Sequence, residues 1–99
     1  MTKIDLIKNK TASVFDSYQV SEASIFGSVA RNEENKRSDV DFLIKFSPDQ
    51  GGLFAMVRLK RDLEKILKKK VDLVTYRSLN PRLKKYILKD KILIYEKRR

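Results

Sequence analysis

Residues 26–44 read FGSVARNEENKRSDVDFLI, and the fold turns on how the two ends of this stretch are related. At the C-terminal end, Val40, Phe42, Ile44 and Phe46 alternate with Asp39, Asp41, Leu43 and Lys45. That period of two predicts a strand over Asp39–Phe46 with an apolar face packed on helices and an acidic face open to solvent or a ligand. At the N-terminal end, Glu22–Phe26 reads as a short strand running into Gly27-Ser28, a tight turn. Asp39 and Asp41 then project the same way, about 7 Å apart at Cα by strand rise.

The flanking sequence supplies the rest of a layered domain. Ile4, Ile7, Val14, Phe15 and Tyr18 fall at helical spacing, and Thr2 with Asp5 resembles a capping box, so a helix is expected over about 3–17. Asn32–Arg37 reads as a surface turn or short helix followed by loop. Ser47–Gly52 (SPDQGG) is the strongest loop signal. Leu53, Met56, Leu59, Leu63, Ile66 and Leu67 mark an amphipathic helix to about residue 69, ending in Lys68-Lys69-Lys70. Val71–Tyr76 (VDLVTY) is a second strand, apolar enough to be expected in the middle of a sheet. Asn80-Pro81 is an N-cap followed by proline at the first helical position, opening a helix to about Lys89, and Lys91–Tyr95 is a closing strand. Phe26, Phe42 and Phe46 read as core, and Tyr76, Tyr86 and Tyr95 as sheet and core-edge residues. The order α-β-(α)-β-α-β-α-β makes an α/β (α+β) domain, a small mixed sheet packed with helices, over residues 1–99.

Composition narrows the chemistry. The chain has no cysteine and no histidine, which excludes thiol nucleophiles, Cys/His zinc sites and imidazole bases. Any metal must be held by oxygen, which points to Mg²⁺, Mn²⁺ or Ca²⁺. The formal charge is +10, and residues 66–99 carry 12 Lys/Arg against 3 Asp/Glu. Such a C-terminal third suits an acidic partner, though Lys-rich solvated helix faces give the same count. No apolar run is long enough for a membrane span and the start is not a signal peptide, so a cytoplasmic location is expected.

The acids bear most of the functional argument. Asp72 is the one acid of VDLVTY, and if that strand lies beside DVDFLI with matching faces, Asp39, Asp41 and Asp72 meet at one spot. Two unit charges about 5 Å apart repel by roughly 3 kcal/mol at an effective dielectric of 20, and by under 1 kcal/mol in water. A recessed trio therefore calls for protonation or a cation; an exposed one needs neither. Gly27 allows close approach of the backbone to a ligand, and Ser28 can cap the next helix, directing free amides at a phosphate. Each feature alone has a plain explanation, an ordinary turn or a solvated strand face. Arg31 either reaches a phosphate or is a solvated surface arginine. Lys68–Lys70 and the basic helix carrying Arg82, Lys84, Lys85 and Lys89 read as solvated faces.

Taken together, G-S-x₁₀-D-x-D with a third acid on a later strand resembles the nucleotidyltransferase superfamily with the DNA polymerase β-like fold. FGSVARNEENKRSDVDFLI is particularly similar to the minimal nucleotidyltransferases, small proteins often paired with a HEPN-domain toxin as its antitoxin. The resemblance covers about Glu22 to Tyr95. It implies that Gly27 and Ser28 bind the triphosphate of ATP, and that Asp39, Asp41 and Asp72 hold two Mg²⁺ ions and serve catalysis. It further implies transfer of AMP to a protein hydroxyl, a tyrosine of the HEPN toxin. Two other readings compete with it: an idle module that neutralises its partner by binding alone, and a basic nucleic-acid-binding domain, which predicts salt-dependent affinity for RNA or DNA. Transfer to an antibiotic or a tRNA end would need a dedicated pocket that a chain of this size has little room for.

Overall fold

A computed structural model describes residues 2–33, 35 and 37–97. Helix α1 spans Lys3–Ser17 and opens on the expected capping box, with Thr2 Oγ1 accepting from the Asp5 amide and Asp5 Oδ2 accepting from the Thr2 amide, both at 3.1 Å. Its buried residues, Ile7, Thr11 and Phe15, recur every four positions on one face. Thr11 buries its hydroxyl without cost by donating to the carbonyl of Ile7 at 2.7 Å.

Gln19, with φ of 59°, turns the chain directly into β1, Val20–Phe26. The strand begins two residues earlier than its apolar pattern suggests, because Val20 already pairs with Phe46 across the sheet. Then follow α2 (Gly27–Ala30), β2 (Val40–Phe46), α3 (Leu53–Leu67), β3 (Val71–Thr75), a single 3₁₀ turn at Tyr76–Ser78, α4 (Pro81–Asp90) and β4 (Ile92–Glu96). Glu34 and Lys36, part of the turn expected over 32–37, lie outside the described residues. α4 starts as anticipated: Asn80 Oδ1 accepts from the Arg82 amide at 2.9 Å, with Pro81 at the first helical position.

The four strands are ordered β3-β2-β1-β4. β1 runs antiparallel to both β2 and β4, while β2 and β3 are parallel and joined through α3. This is the mixed sheet expected from the alternation of elements. The position of β3 is a correction: it lies at an edge of the sheet and not in the middle. Its apolar content has another cause, since α3 packs against it and Val71 belongs to the main core.

Helices α1 and α3 contact each other and the sheet. Phe15 and Phe42 meet edge to face with ring centres 5.5 Å apart, in a cluster that includes Ile25, Ile44, Leu59 and Leu63. Tyr18 at the end of α1 donates its hydroxyl to Asp62 of α3. Leu43 and Leu79 are buried outside this cluster, Leu43 because it alternates with Phe42 and Ile44 and so faces the other side of the sheet. Phe26 corrects the sequence reading: it is half-buried and absent from the cluster, because it alternates with Ile25 and shares the face of Ser24 and Asp41. Tyr86 is likewise exposed and not at the core edge. Among the described residues no helix is long and apolar enough to cross a membrane.

Candidate active site

The site is built where β1 ends against β2. Phe26, the last residue of β1, pairs with Asp41, and on the other side of β2 Asp41 pairs with Asp72 of β3. Register partners on neighbouring strands lie about 4.8 Å apart and point to the same face, so the two carboxylates emerge side by side. Gly27 then turns the chain directly against Asp41. Its φ is +75°, and a Cβ built on it would overlap Oδ2 of Asp41 and stand 3.3 Å from Cγ. Only glycine allows both this turn and this approach.

Crowding shows in the acid itself. Asp41 is pushed up to about 6, first by its burial, then by the charges of Asp72 and Asp39, with Arg31 opposing. A carboxylate so placed carries its charge at a cost, which nearby positive charge relieves. The donor set is all oxygen, as a chain without histidine or cysteine requires, and it fits a hard divalent cation.

Asp39 does not join the pair as expected. β2 begins at Val40, so Asp39 precedes the strand and is exposed. It lines a depression of about 380 Å³ with Arg37, Ser38 and Lys68–Lys70. Among the described residues no three acidic side chains are grouped closely enough to hold an ion as they stand. The expectation that all three carboxylates meet at one spot is thus corrected to a pair, Asp41 and Asp72, with Asp39 acting on it through charge.

Ser28 also differs from expectation. α2 starts at Gly27, its N-cap is Phe26 without a side-chain hydrogen bond, and Ser28 lies within the helix and caps nothing. The glycine turn and the helix coincide, which moves the cap two residues upstream of the serine, to Phe26. Arg31 caps the C-terminus of α2, and its guanidinium is fixed by Glu33 at 3.1 Å and by Asp90 of α4 at 3.0 Å. It is ion-paired and not a freely solvated surface arginine, and its charge reaches Asp41.

The sequence reading missed Asp90, 59 positions from Arg31, for which no local signal exists. It also missed Ser24, fully buried two residues before Phe26 on the same face, whose hydroxyl has no hydrogen-bond partner. A larger cleft of about 1200 Å³ opens at the other end of β2 and β3, lined among others by Lys45, Tyr76 and Lys91. There Lys91 Nζ donates to the Tyr76 hydroxyl at 3.1 Å. In sequence this region read only as the 47–52 loop and the end of a strand.

The family model "Polymerase beta, Nucleotidyltransferase" matches residues 9–99. The chain belongs to this nucleotidyltransferase family. A Methanocaldococcus jannaschii protein provisionally named a protein adenylyltransferase is 44% identical over 89 residues, 90% of this chain and 95% of that one. A solved structure provisionally named a minimal nucleotidyltransferase is 32% identical, covers 92% of this chain and 95% of its own, and superposes with a TM-score of 0.77. The fold is shared more distantly with a structure described as tri-AMPylated Shewanella oneidensis HEPN toxin in complex with MNT antitoxin. That one is 21% identical with a TM-score of 0.71, over 95% of this chain and 73% of the other. The polymerase β-like nucleotidyltransferase fold expected from the G-S-x₁₀-D-x-D stretch is therefore the fold found, and the chain is a nucleotidyltransferase by family.

Proposed function

We propose that the chain, as one nucleotidyltransferase domain over residues 1–99, transfers AMP from ATP to a protein hydroxyl, namely a tyrosine of a HEPN toxin that it neutralises as antitoxin. The observation that carries this reading is the pairing of Asp41 with Asp72 on neighbouring strands, with Asp41 packed directly against Gly27, at a turn that only glycine can make. The 44%-identical relative, provisionally named a protein adenylyltransferase, and the AMPylated HEPN toxin complex of the distant structural neighbour support the choice of acceptor.

In this reading Asp41 and Asp72 hold Mg²⁺, two ions with Asp39 as the remaining carboxylate, and Gly27 and Ser28 receive the triphosphate. Bound there, Mg²⁺ supplies Lewis-acid activation of the acceptor hydroxyl and charge neutralisation of pyrophosphate. The chain's own residues do the rest. The Gly27 turn lets backbone come within contact distance of the phosphates, with no side chain between them and Asp41. The acceptor oxygen bonds to the α-phosphorus as the bond to the β-phosphate bridging oxygen breaks and pyrophosphate leaves. The hydroxyl proton passes to Asp72, which is exposed on the edge strand and within reach of an incoming protein, whereas Asp41 is half-buried. Arg31, held by Asp90, adds positive charge beside the phosphates without leaving its ion pairs.

The test is incubation of the purified chain with ATP labelled at the α-phosphate, Mg²⁺ and the HEPN-domain protein of the same cell. Label on a HEPN tyrosine, absent with Asp41→Asn and with EDTA, is the expected result. Equal labelling by the Asp41→Asn variant would sink the assignment.

A further inference from the structure

Helix α4 is under-packed for its length. None of its ten residues is fully buried; Ile87, Leu88 and Asp90 are half-covered, while Leu83 and Tyr86 are 53% and 58% exposed. An amphipathic surface helix normally buries its apolar stripe, and this one leaves a leucine and a tyrosine outside. Leu83, Tyr86 and Asp90 follow at i, i+3 and i+7, so they share one side of the helix. The far end of that side is anchored at the site: Asp90 holds the guanidinium of Arg31, which closes the α2 turn begun by Gly27. The apolar stripe therefore leads away from the candidate active site along α4.

Its borders are cationic. Arg82, Lys84, Lys85 and Lys89 lie on the same helix, with Lys85 Nζ 5.4 Å from the centre of the Tyr86 ring. The one acid of α4, Asp90, is engaged by Arg31. Tyrosine and arginine at the centre and rim of an exposed apolar patch are what protein interfaces use as anchors, and a ring of one charge selects a partner of the other. The first turn of α3 exposes apolar residues too, Leu53, Phe54 and Val57, but among the described residues no ion pair like that of Asp90 with Arg31 ties it to the site, and nothing shows what covers it.

We infer that the exposed face of α4 around Leu83 and Tyr86 is where the acceptor protein docks, through a surface of its own that is apolar at the centre and acidic at the rim. This rests on the protein-transfer reading above and adds to it the surface that delivers the hydroxyl. Docking here orients the acceptor beside the α2 turn, so the interaction acts on acceptor affinity and leaves nucleotide binding to the Gly27 and Asp41 region.

The experiment uses the full chain and the HEPN-domain protein of the same cell as probe. Wild type, Leu83→Ser/Tyr86→Ser and Lys85→Glu/Lys89→Glu are compared for HEPN binding by calorimetry, for KM and kcat of AMP incorporation, for Mg-ATP affinity, and for thermal melting as a check of folding. Both variants are expected to weaken HEPN binding and raise its KM at least tenfold, with kcat at saturation and Mg-ATP affinity within about twofold of wild type. Unchanged KM and binding overturn the inference, as does a wild type that does not bind the HEPN protein. If wild type binds it but transfers no AMP, the functional reading fails separately, and loss of binding in the variants still upholds the surface. Salt-sensitive binding of a single-stranded RNA that the charge-reversal variant loses, with HEPN binding intact, assigns the face to nucleic acid and overturns the proposal.

Discussion

Gly27 and Asp41 are packed so closely that the Cβ missing from Gly27 would occupy the place of Asp41 Oδ2. The contact joins the chain just after β1 to the start of β2, and the glycine also adopts φ of +75°. A side chain here meets two penalties, a strained backbone and displacement of the carboxylate. The Gly27→Ala variant is expected to lose about 1–3 kcal/mol of stability from the backbone alone. It should also lose at least tenfold in Mg-ATP affinity, because Asp41 must rotate away. Denaturant melts and calorimetric titration check the two effects; an alanine variant that binds Mg-ATP like wild type would contradict the close-approach role.

Asp41 makes stability depend on pH with a defined sign. Its pKa in the fold, about 6, lies above the ordinary value of 3.8, so the folded protein binds more protons than the unfolded chain between those values. The stability it contributes is complete below the unfolded value and is lost as pH rises through about 6. Asp41→Asn removes the charge for good. This variant should melt higher than metal-free wild type at pH 8, with the gap closing as pH falls through 6 towards 4. A gap that widens on acidification would show the opposite linkage.

Asp72 is the largest charged neighbour in that perturbation. In Asp72→Ala, the pKa of Asp41 is expected to fall towards its ordinary value, measured by carboxyl NMR titration. The same substitution, and Asp39→Ala and Asp41→Ala, should lower AMP transfer by at least about a hundredfold, the range for loss of a positioned acid or base. Circular dichroism should show the fold intact, since Asp39 and Asp72 are exposed.

Ser24 is a different case, a buried hydroxyl with no partner. An unsatisfied buried polar group costs about 1–3 kcal/mol, and removing it returns part of that. Ser24→Ala should therefore be neutral or stabilising by up to about 1 kcal/mol, in contrast to most substitutions at fully buried positions. A loss of more than that in thermal melts would reveal a hydrogen bond made by this hydroxyl.

Much of this architecture can be read along the chain because the signals are local. The Thr2/Asp5 capping box starts α1, Asn80-Pro81 starts α4, and the alternation through Val40, Phe42 and Ile44 marks β2. The pairing of Asp41 with Asp72 was legible only conditionally, as it needs β2 and β3 to be neighbours in register, and α3 as their crossover supplies this. What escaped is what depends on distant packing. The edge position of β3 is hidden because a strand covered by α3 looks as apolar as a central one. Ser28 resembles a cap until the glycine before it is seen to start the helix. Asp90 acquires its role only when α4 comes to rest beside α2. Asp39 was placed on the strand by alternation, yet the ladder starts one residue later.

The two partnered acids differ in how firmly they are held. Asp41 sits on an inner strand bonded on both sides, while Asp72 sits on a strand bonded on one side only. Local opening is easiest at such margins. A divalent ion bridging the two would act as a clasp, fastening the outer strand to the sheet's interior. Amides of Val71–Thr75 should then exchange with deuterium more slowly once Mg-ATP is added, while those of β1 stay nearly as they were. Substrate loading would in that way complete the rigidity of the sheet, and the catalytic pair would be at its most ordered only when there is nucleotide to act on.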